Sequence, residues 1–309
     1  MTTTIVTTNR FWAYLQLMRP ANVITAWADI LAGVAASGLF STFYEEIKQG
    51  VVLVNFLPLG YLLIATSCLY SGGVVLNDAF DANLDAVERP ERPIPSGRAS
   101  RQGAFFVGSL LLCFGIVFAW VVSPLSAILA TFVAVAAVMY DAFGKHHALF
   151  GPLNMGACRG ANLLLGLSIV PGMVSSYWFL ALIPIIYIAA VTNLSRGEVE
   201  GGNTVSSIVS IVLMSTVFAA ILGLGLFKNS LLAVFPFALL LAIRVFPPLF
   251  TVLREPSPAK IQLAIRACVL SMIVLNATLS TSFAGLLYGL LVLVLLPVSM
   301  KLASLFAVT

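Results

Sequence analysis

Residues 21–40, 54–76, 103–122, 124–140, 153–171, 176–194, 205–227, 230–251, 261–282 and 284–306 are long apolar segments. Each approaches the roughly 20 residues that an α-helix needs to cross the hydrocarbon core of a bilayer. A chain written this way has few folds open to it, because in lipid every backbone donor and acceptor must be satisfied within a helix or a closed barrel. The runs are continuous, whereas barrel strands alternate apolar and polar positions. The expected fold class is therefore all-α, a polytopic membrane helix bundle of nine or ten transmembrane helices. Composition agrees: 60% hydrophobic residues, 9% charged residues and a mean hydropathy of +1.05 exceed what a soluble core could hide. Segment 261–282 is ambiguous. Gln262, Arg266, Asn276 and several Ser and Thr make it amphipathic enough to lie along the interface instead.

Orientation follows from lysine and arginine, which concentrate in short cytoplasmic loops. With the N-terminus inside, the inner loops carry Arg10, Arg19, Arg89, Arg92, Arg98, Arg101, Lys145, Arg196, Arg254 and Lys260, against Lys48 and Lys228 outside. The formal charge of +4 is thus a topology signal, and nucleic acid is not an expected partner. Met1–Asn9 lacks the charged and apolar regions of a removable signal peptide. Cys68, Cys113, Cys158 and Cys268 are widely spaced inside apolar segments, so neither a disulfide framework nor a thiolate metal site is expected.

Within this apolar chain, Asn77-Asp78-Ala79-Phe80-Asp81-Ala82-Asn83-Leu84-Asp85 is a conspicuous exception. Asn77, Asp81 and Asp85 recur every fourth residue and would line one helix face. Such a row of oxygen donors suits Mg2+, which takes one or two carboxylates, some water and substrate phosphates; Asp78 is a further candidate ligand. The chain continues through Arg89 and Arg92 among stiffening prolines, and guanidinium forks suit phosphate oxygens. A second loop, on the same side, carries Tyr140 and Lys145, the latter a point charge for phosphate. A third holds Glu198 and Glu200, a second acidic cluster. Arginines and lysine here also serve as topology determinants, and acids after a span are ordinary; spacing alone leaves both readings open for Lys145, Glu198 and Glu200. His146 and His147 are read as solvated loop residues. Two acidic clusters facing each other would suit two cations gripping one diphosphate. The succession of apolar span, acidic loop and apolar span around 54–122 and again around 176–227 hints at internal duplication.

Inside the spans, Asn22 and Asp29 share a face of the first, and Arg159 and Asn162 stand near the start of the fifth. Ionisable groups at such depth mark a cavity by default, although a satisfied structural role is the competing reading for Asp29 and Arg159. Trp27, Tyr70, Tyr140 and Phe143 are aromatic rings whose faces could stabilise a cation.

At these residues the chain resembles the UbiA superfamily of intramembrane prenyltransferases. That family carries Asn-x-x-x-Asp-x-x-x-Asp after its second span, followed by an arginine-rich stretch, matched here by Asn77, Asp81, Asp85, Arg89, Arg92, Pro93 and Gly97. Its second acidic motif follows the sixth span; Glu198 and Glu200 fit it, but Gly202 stands where the last aspartate is expected. Cys158-Arg159-Gly160-Ala161-Asn162 resembles the EboC-like branch, for which a standard quinone substrate is not implied. The resemblance covers about 11–251 and implies one transmembrane prenyltransferase-like domain over 1–309: a cytoplasmic segment 1–20, a core bundle 21–251 and divergent C-terminal helices 252–309.

The resemblance further implies helices around a central cavity opening sideways to membrane lipids, capped by the motif loops. Mg2+ would be held by Asn77, Asp78, Asp81 and Asp85 on one side and by Glu198 and Glu200 on the other. The ligand would be an isoprenyl diphosphate, with Asp81, Asp85 and Lys145 as catalytic residues. Asn22, Asp29, Arg89, Arg92, Tyr140, Arg159 and Asn162 would bind substrates, including a small aromatic or lipid acceptor. A second reading keeps the isoprenoid or a pigment precursor but binds or moves it without catalysis. A third, an ion-coupled transporter, fits less well because the acids crowd one face of the membrane.

Overall fold

The computed structural model describes residues 10–51, 53–144, 147, 149–196 and 201–306. Among them every regular element is helical. In chain order these are α1 Arg10–Met18, α2 Pro20–Ala36, α3 Leu39–Lys48, α4 Leu57–Phe80, α5 Ala82–Glu88, α6 Arg101–Val122 and α7 Pro124–Met139. A π-helical turn at Tyr140–Gly144 ends α7. Then follow α8 Phe150–Leu167, α9 Gly172–Tyr177, α10 Leu182–Ser195, α11 Thr204–Phe227, α12 Leu231–Arg254, α13 Pro258–Leu293 and α14 Leu295–Leu305.

Local chemistry sets several of these boundaries. Ser123, in extended conformation, accepts a hydrogen bond from the Ser126 N–H, and Pro124 occupies the first turn of α7. The single residue Ser123 therefore ends α6 and starts α7, turning one span into the next without a loop. Asn203 caps α11 in the same way through the Ser206 N–H. At Gly285, φ is +82° and ψ 176°, a conformation open to glycine, and there the long α13 bends.

Among the described residues, seven helices are long and apolar enough to cross a membrane, or up to eight if the bent pair Arg10–Ala36 and Leu39–Lys48 is one span. The nine or ten spans expected from the sequence are not reached by this measure, for two physical reasons. The segment around 153–171 is α8, whose polar Asn154, Arg159 and Asn162 face inward within the bundle. The segments 261–282 and 284–306 run together as one bent stretch, Pro258–Leu305. Nor does 261–282 lie along an interface. Every residue from Leu270 to Ser282 is buried, where α13 packs against α2 and α12.

The bundle is arranged around α2, which touches α4, α8, α13 and α14. The α2–α8 contact is a backbone-to-backbone approach: a Cβ on Gly33 would overlap the Leu163 carbonyl, and one on Gly166 would overlap the Ile30 carbonyl. Small residues permit such close crossing in apolar surroundings. The α4–α6 and α10–α11 pairs each pack as hairpins whose connecting loops carry the two acidic motifs.

Candidate active site at one end of the bundle

The first acidic row lies where α4 gives way to α5. Asp81 interrupts the helix, yet the four-residue spacing survives: the Asp81 N–H donates to the Asn77 carbonyl at 2.9 Å, Asp85 to Asp81 at 2.8 Å and Arg89 to Asp85 at 2.8 Å. This ladder presents Asn77, Asp81, Asp85, Glu88 and Arg89 to a common cavity of about 380 Å³. Asp81 and Asp85 therefore line one shared hollow.

The carboxylates are held by arginines from two directions. Arg92 donates from Nη1 to both oxygens of Asp85, at 2.8 and 3.0 Å, and lies 3.4 Å from Asp78. Arg19 reaches Asp78 from the other side at 2.8 Å. To do so Arg19 adopts φ +47°, left-handed for a non-glycine residue, between α1 and Pro20. Asp78 is not among the residues lining the cavity, and its paired side chain is 6% exposed. Its place differs from that expected of a metal ligand; it orients Arg19 and Arg92, both of which line the cavity. A guanidinium shared between two acids is fixed in direction, and that preorganises its remaining donors.

On the opposite wall, Asn77 donates from Nδ2 to the buried Asp141 at 2.8 Å, which fastens α4 to the π-helical turn carrying Tyr140. π-turns of this kind recur at functional sites. Thr192 and Ser195, at the end of α10, complete the rim. Lys145, Glu198 and Glu200 lie outside the described residues, as does His146. Gly202, which departs from the motif, donates to the Pro256 carbonyl at 3.1 Å and anchors that loop to the α12–α13 junction.

Deeper in the membrane the cavity is walled by apolar Leu69, Val133, Met155, Ile188, Val191, Ile265 and Val269 and by a polar face of Asn22, Thr66, Tyr70, Arg159 and Asn162. Behind that face sits Asp29, fully buried. Its Oδ2 accepts from Arg159 Nη1 at 2.8 Å and from Asn162 Nδ2 at 3.1 Å, and its Oδ1 from Asn276 Nδ2 at 2.7 Å. Arg159 also donates to Thr25 Oγ1 at 2.7 Å and lies over the Tyr70 ring at 4.9 Å. Thr66 closes the network by donating to Asn162 Oδ1 at 2.7 Å. Asp29 thus supports the cavity wall from behind, while Arg159 and Asn162 line it.

Arg19, Glu88, Asp141 and Thr66 are site residues that the sequence did not single out for binding, and Tyr70 was expected there only as a ring for a cation. Thr66 and Tyr70 were findable, since they continue the Asn77 face of α4 at helical spacing. Of the other rings proposed for a cation, Trp27 bonds Ser67 Oγ through Nε1 at 2.7 Å and Phe143 is 75% exposed; neither lines the cavity.

The sequence profile of the UbiA prenyltransferase family matches residues 23–265, more than half of the chain. The chain belongs to the UbiA prenyltransferase family. It is similar to digeranylgeranylglyceryl phosphate synthases of Methanosarcina mazei, 31% identical over 162 residues covering 50% of this chain and 54% of that one. The synthase of Methanococcoides burtonii is 32% identical over 155 residues, 50% and 53% of the two chains. The chain spans about half the length of the curated relatives it matches. Among solved folds it resembles a digeranylgeranylglyceryl phosphate synthase structure at TM-score 0.62, 19% identity, covering 89% of this chain and 99% of that one. It also resembles an apo UbiA homologue from Aeropyrum pernix K1 at TM-score 0.64, 15% identity, covering 82% and 96%. At these identities the structural likeness establishes the UbiA fold. Asn276, which bonds Asp29, lies beyond the matched stretch, so the C-terminal helices complete a network built mostly from family positions.

The donor set fits Mg2+ of the kind that UbiA membership implies. Among the described residues no group of three or more His, Cys, Asp or Glu forms a closed metal cage. The cavity instead offers oxygen donors from Asn77, Asp81 and Asp85 beside open space, the arrangement of an ion that shares its shell with substrate phosphates.

Proposed function

We propose that this chain is a membrane-embedded prenyltransferase that moves an isoprenyl group from an isoprenyl diphosphate to a small acceptor, aromatic or lipid. The observation that carries this reading is a cavity in which a carboxylate row, fixed arginines and an apolar wall meet. The inner loops' excess of lysine and arginine supports a cytoplasmic location for the motif side.

Asn77, Asp81 and Asp85 would hold Mg2+ on one side and Glu198 with Glu200 on the other. Bound there, Mg2+ supplies charge neutralisation for the diphosphate. Arg19, Arg89 and Arg92 would add positive charge where negative charge develops on the leaving group, and Lys145 is the further cation expected to join them. The carbon–oxygen bond breaks with its electron pair going to diphosphate. The allylic carbon then takes an electron pair from the acceptor, whose displaced proton leaves with the diphosphate. Tyr70 and Tyr140 line the cavity and would offer aromatic rings to the allylic cation, and the apolar wall would keep water from quenching it.

Release of diphosphate from purified protein in lipid nanodiscs, supplied with prenyl diphosphates of several lengths and a panel of acceptors, tests the reading. Turnover that requires Asp81 and Asp85 supports it. Full turnover in Asp81→Ala and Asp85→Ala would remove the assigned ligands. The departure at Gly202 favours a second reading, binding of an isoprenoid without conversion; prenyl diphosphate bound but never consumed with any acceptor would establish that one.

A further inference from the structure

The inner rim of the cavity is crowded with charge of both signs, but its deep half is not. Below the level of Asn77 and Tyr140, Arg159 is the charged side chain lining the cavity among the described residues. Its charge is already matched. Asp29 stands behind it at 2.8 Å, is fully buried, and accepts hydrogen bonds from Arg159, Asn162 and Asn276. Arg159 and Asp29 together carry no net charge.

Resting on the transferase reading, we propose that this deep half selects an uncharged, oxygen-bearing acceptor and discriminates against carboxylated or phosphorylated ones. An anion placed here would meet a guanidinium committed to Asp29 and Thr25, with the Asp29 carboxylate directly behind it. Burying a charge without its own counter-charge is strongly unfavourable. A neutral hydroxyl or carbonyl oxygen, by contrast, can accept from the remaining Arg159 N–H groups without disturbing the pair. Asn22 and Tyr140 add side chains able to both donate and accept. The remaining wall, Ile188, Val191, Ile265 and Val269, gives an anion nothing.

Asn276 and Asp29 are positioning residues in this scheme, since they act through Arg159. Asn276 reaches Asp29 from α13 across 247 residues of sequence, and its Oδ1 has no partner among the described residues.

The experiment is equilibrium binding to the protein in nanodiscs, without prenyl diphosphate, of matched pairs in which one member is uncharged and the other anionic. Hydroquinone against 4-hydroxybenzoate and a glyceryl ether against its phosphate serve as probes. The expected result is that the uncharged member of each pair binds at least about tenfold more tightly, and that Asp29→Asn, which leaves Arg159 unmatched, narrows or inverts the preference. The wild-type comparison stands even if Asp29→Asn fails to fold. Equal or tighter binding of the charged members overturns the proposal, and so does absence of binding by every probe. Prenyl transfer is scored separately: turnover that favours a charged acceptor would overturn the selectivity and leave the transferase standing.

Discussion

One nitrogen of Arg92 holds both carboxylate oxygens of Asp85, at 2.8 and 3.0 Å, and reaches Asp78 at 3.4 Å. The arginine proposed to grip a diphosphate is thus also the residue that orients a carboxylate proposed to hold its metal. Arg92→Ala would strip a counter-charge from two acids whose side chains are 6% and 7% exposed. We expect a loss of about 3 kcal/mol in stability, read as a lowered thermal midpoint in detergent, together with loss of turnover. Arg92→Lys should retain more stability than activity, since a point charge cannot reproduce the fork.

Asp81 lines the cavity at the break between α4 and α5, where its backbone continues the hydrogen-bond ladder whatever its side chain. Asp81→Asn should therefore leave the stability, followed by the thermal midpoint, within about 1 kcal/mol of wild type while lowering diphosphate release by about 100-fold or more. An equal fall in stability and activity would point to a structural role.

Removal of divalent metal with a chelator is expected to stop turnover without unfolding the protein. The described residues form no closed cage of three or more metal-binding side chains, so the fold has little to lose when the ion leaves. Thermal unfolding with and without chelator, beside the release assay, checks both halves of this expectation.

Gly33 and Gly166 let α2 and α8 touch backbone to backbone, and that approach brings Asp29 within reach of Arg159 and Asn162. Gly33→Ala or Gly166→Ala should push the helices apart and cost about 1–3 kcal/mol, measured by unfolding. The deep polar wall should loosen with it, so activity should fall although neither glycine lines the cavity.

Asn276→Leu removes one of the three side-chain donors to a fully buried carboxylate. A cost of about 1–3 kcal/mol is expected from the oxygen left unbonded. Asp29→Ala, which leaves Arg159 buried without its partner, should cost about 3–5 kcal/mol.

Much of this architecture was written locally. The apolar runs dictated helices, because lipid leaves the backbone no other partner, and the four-residue spacing of Asn77, Asp81 and Asp85 placed them on one face before any tertiary contact was known. That spacing survived the interruption at Asp81 because its backbone hydrogen bonds did. The number of spans was less legible. Hydropathy counts apolar residues, and α8 carries polar ones that the bundle interior satisfies.

What only the tertiary structure decided is which polar groups meet. Asp141 belongs to the site because α7 ends in a π-turn beside Asn77, Arg19 because a left-handed residue aims it at Asp78, and Asn276 because α13 crosses α2 opposite Asp29. Such meetings depend on how closely helices cross and on their rotation about their own axes. Those are set by packing between segments as far as 247 residues apart, for which periodicity along one segment carries no information.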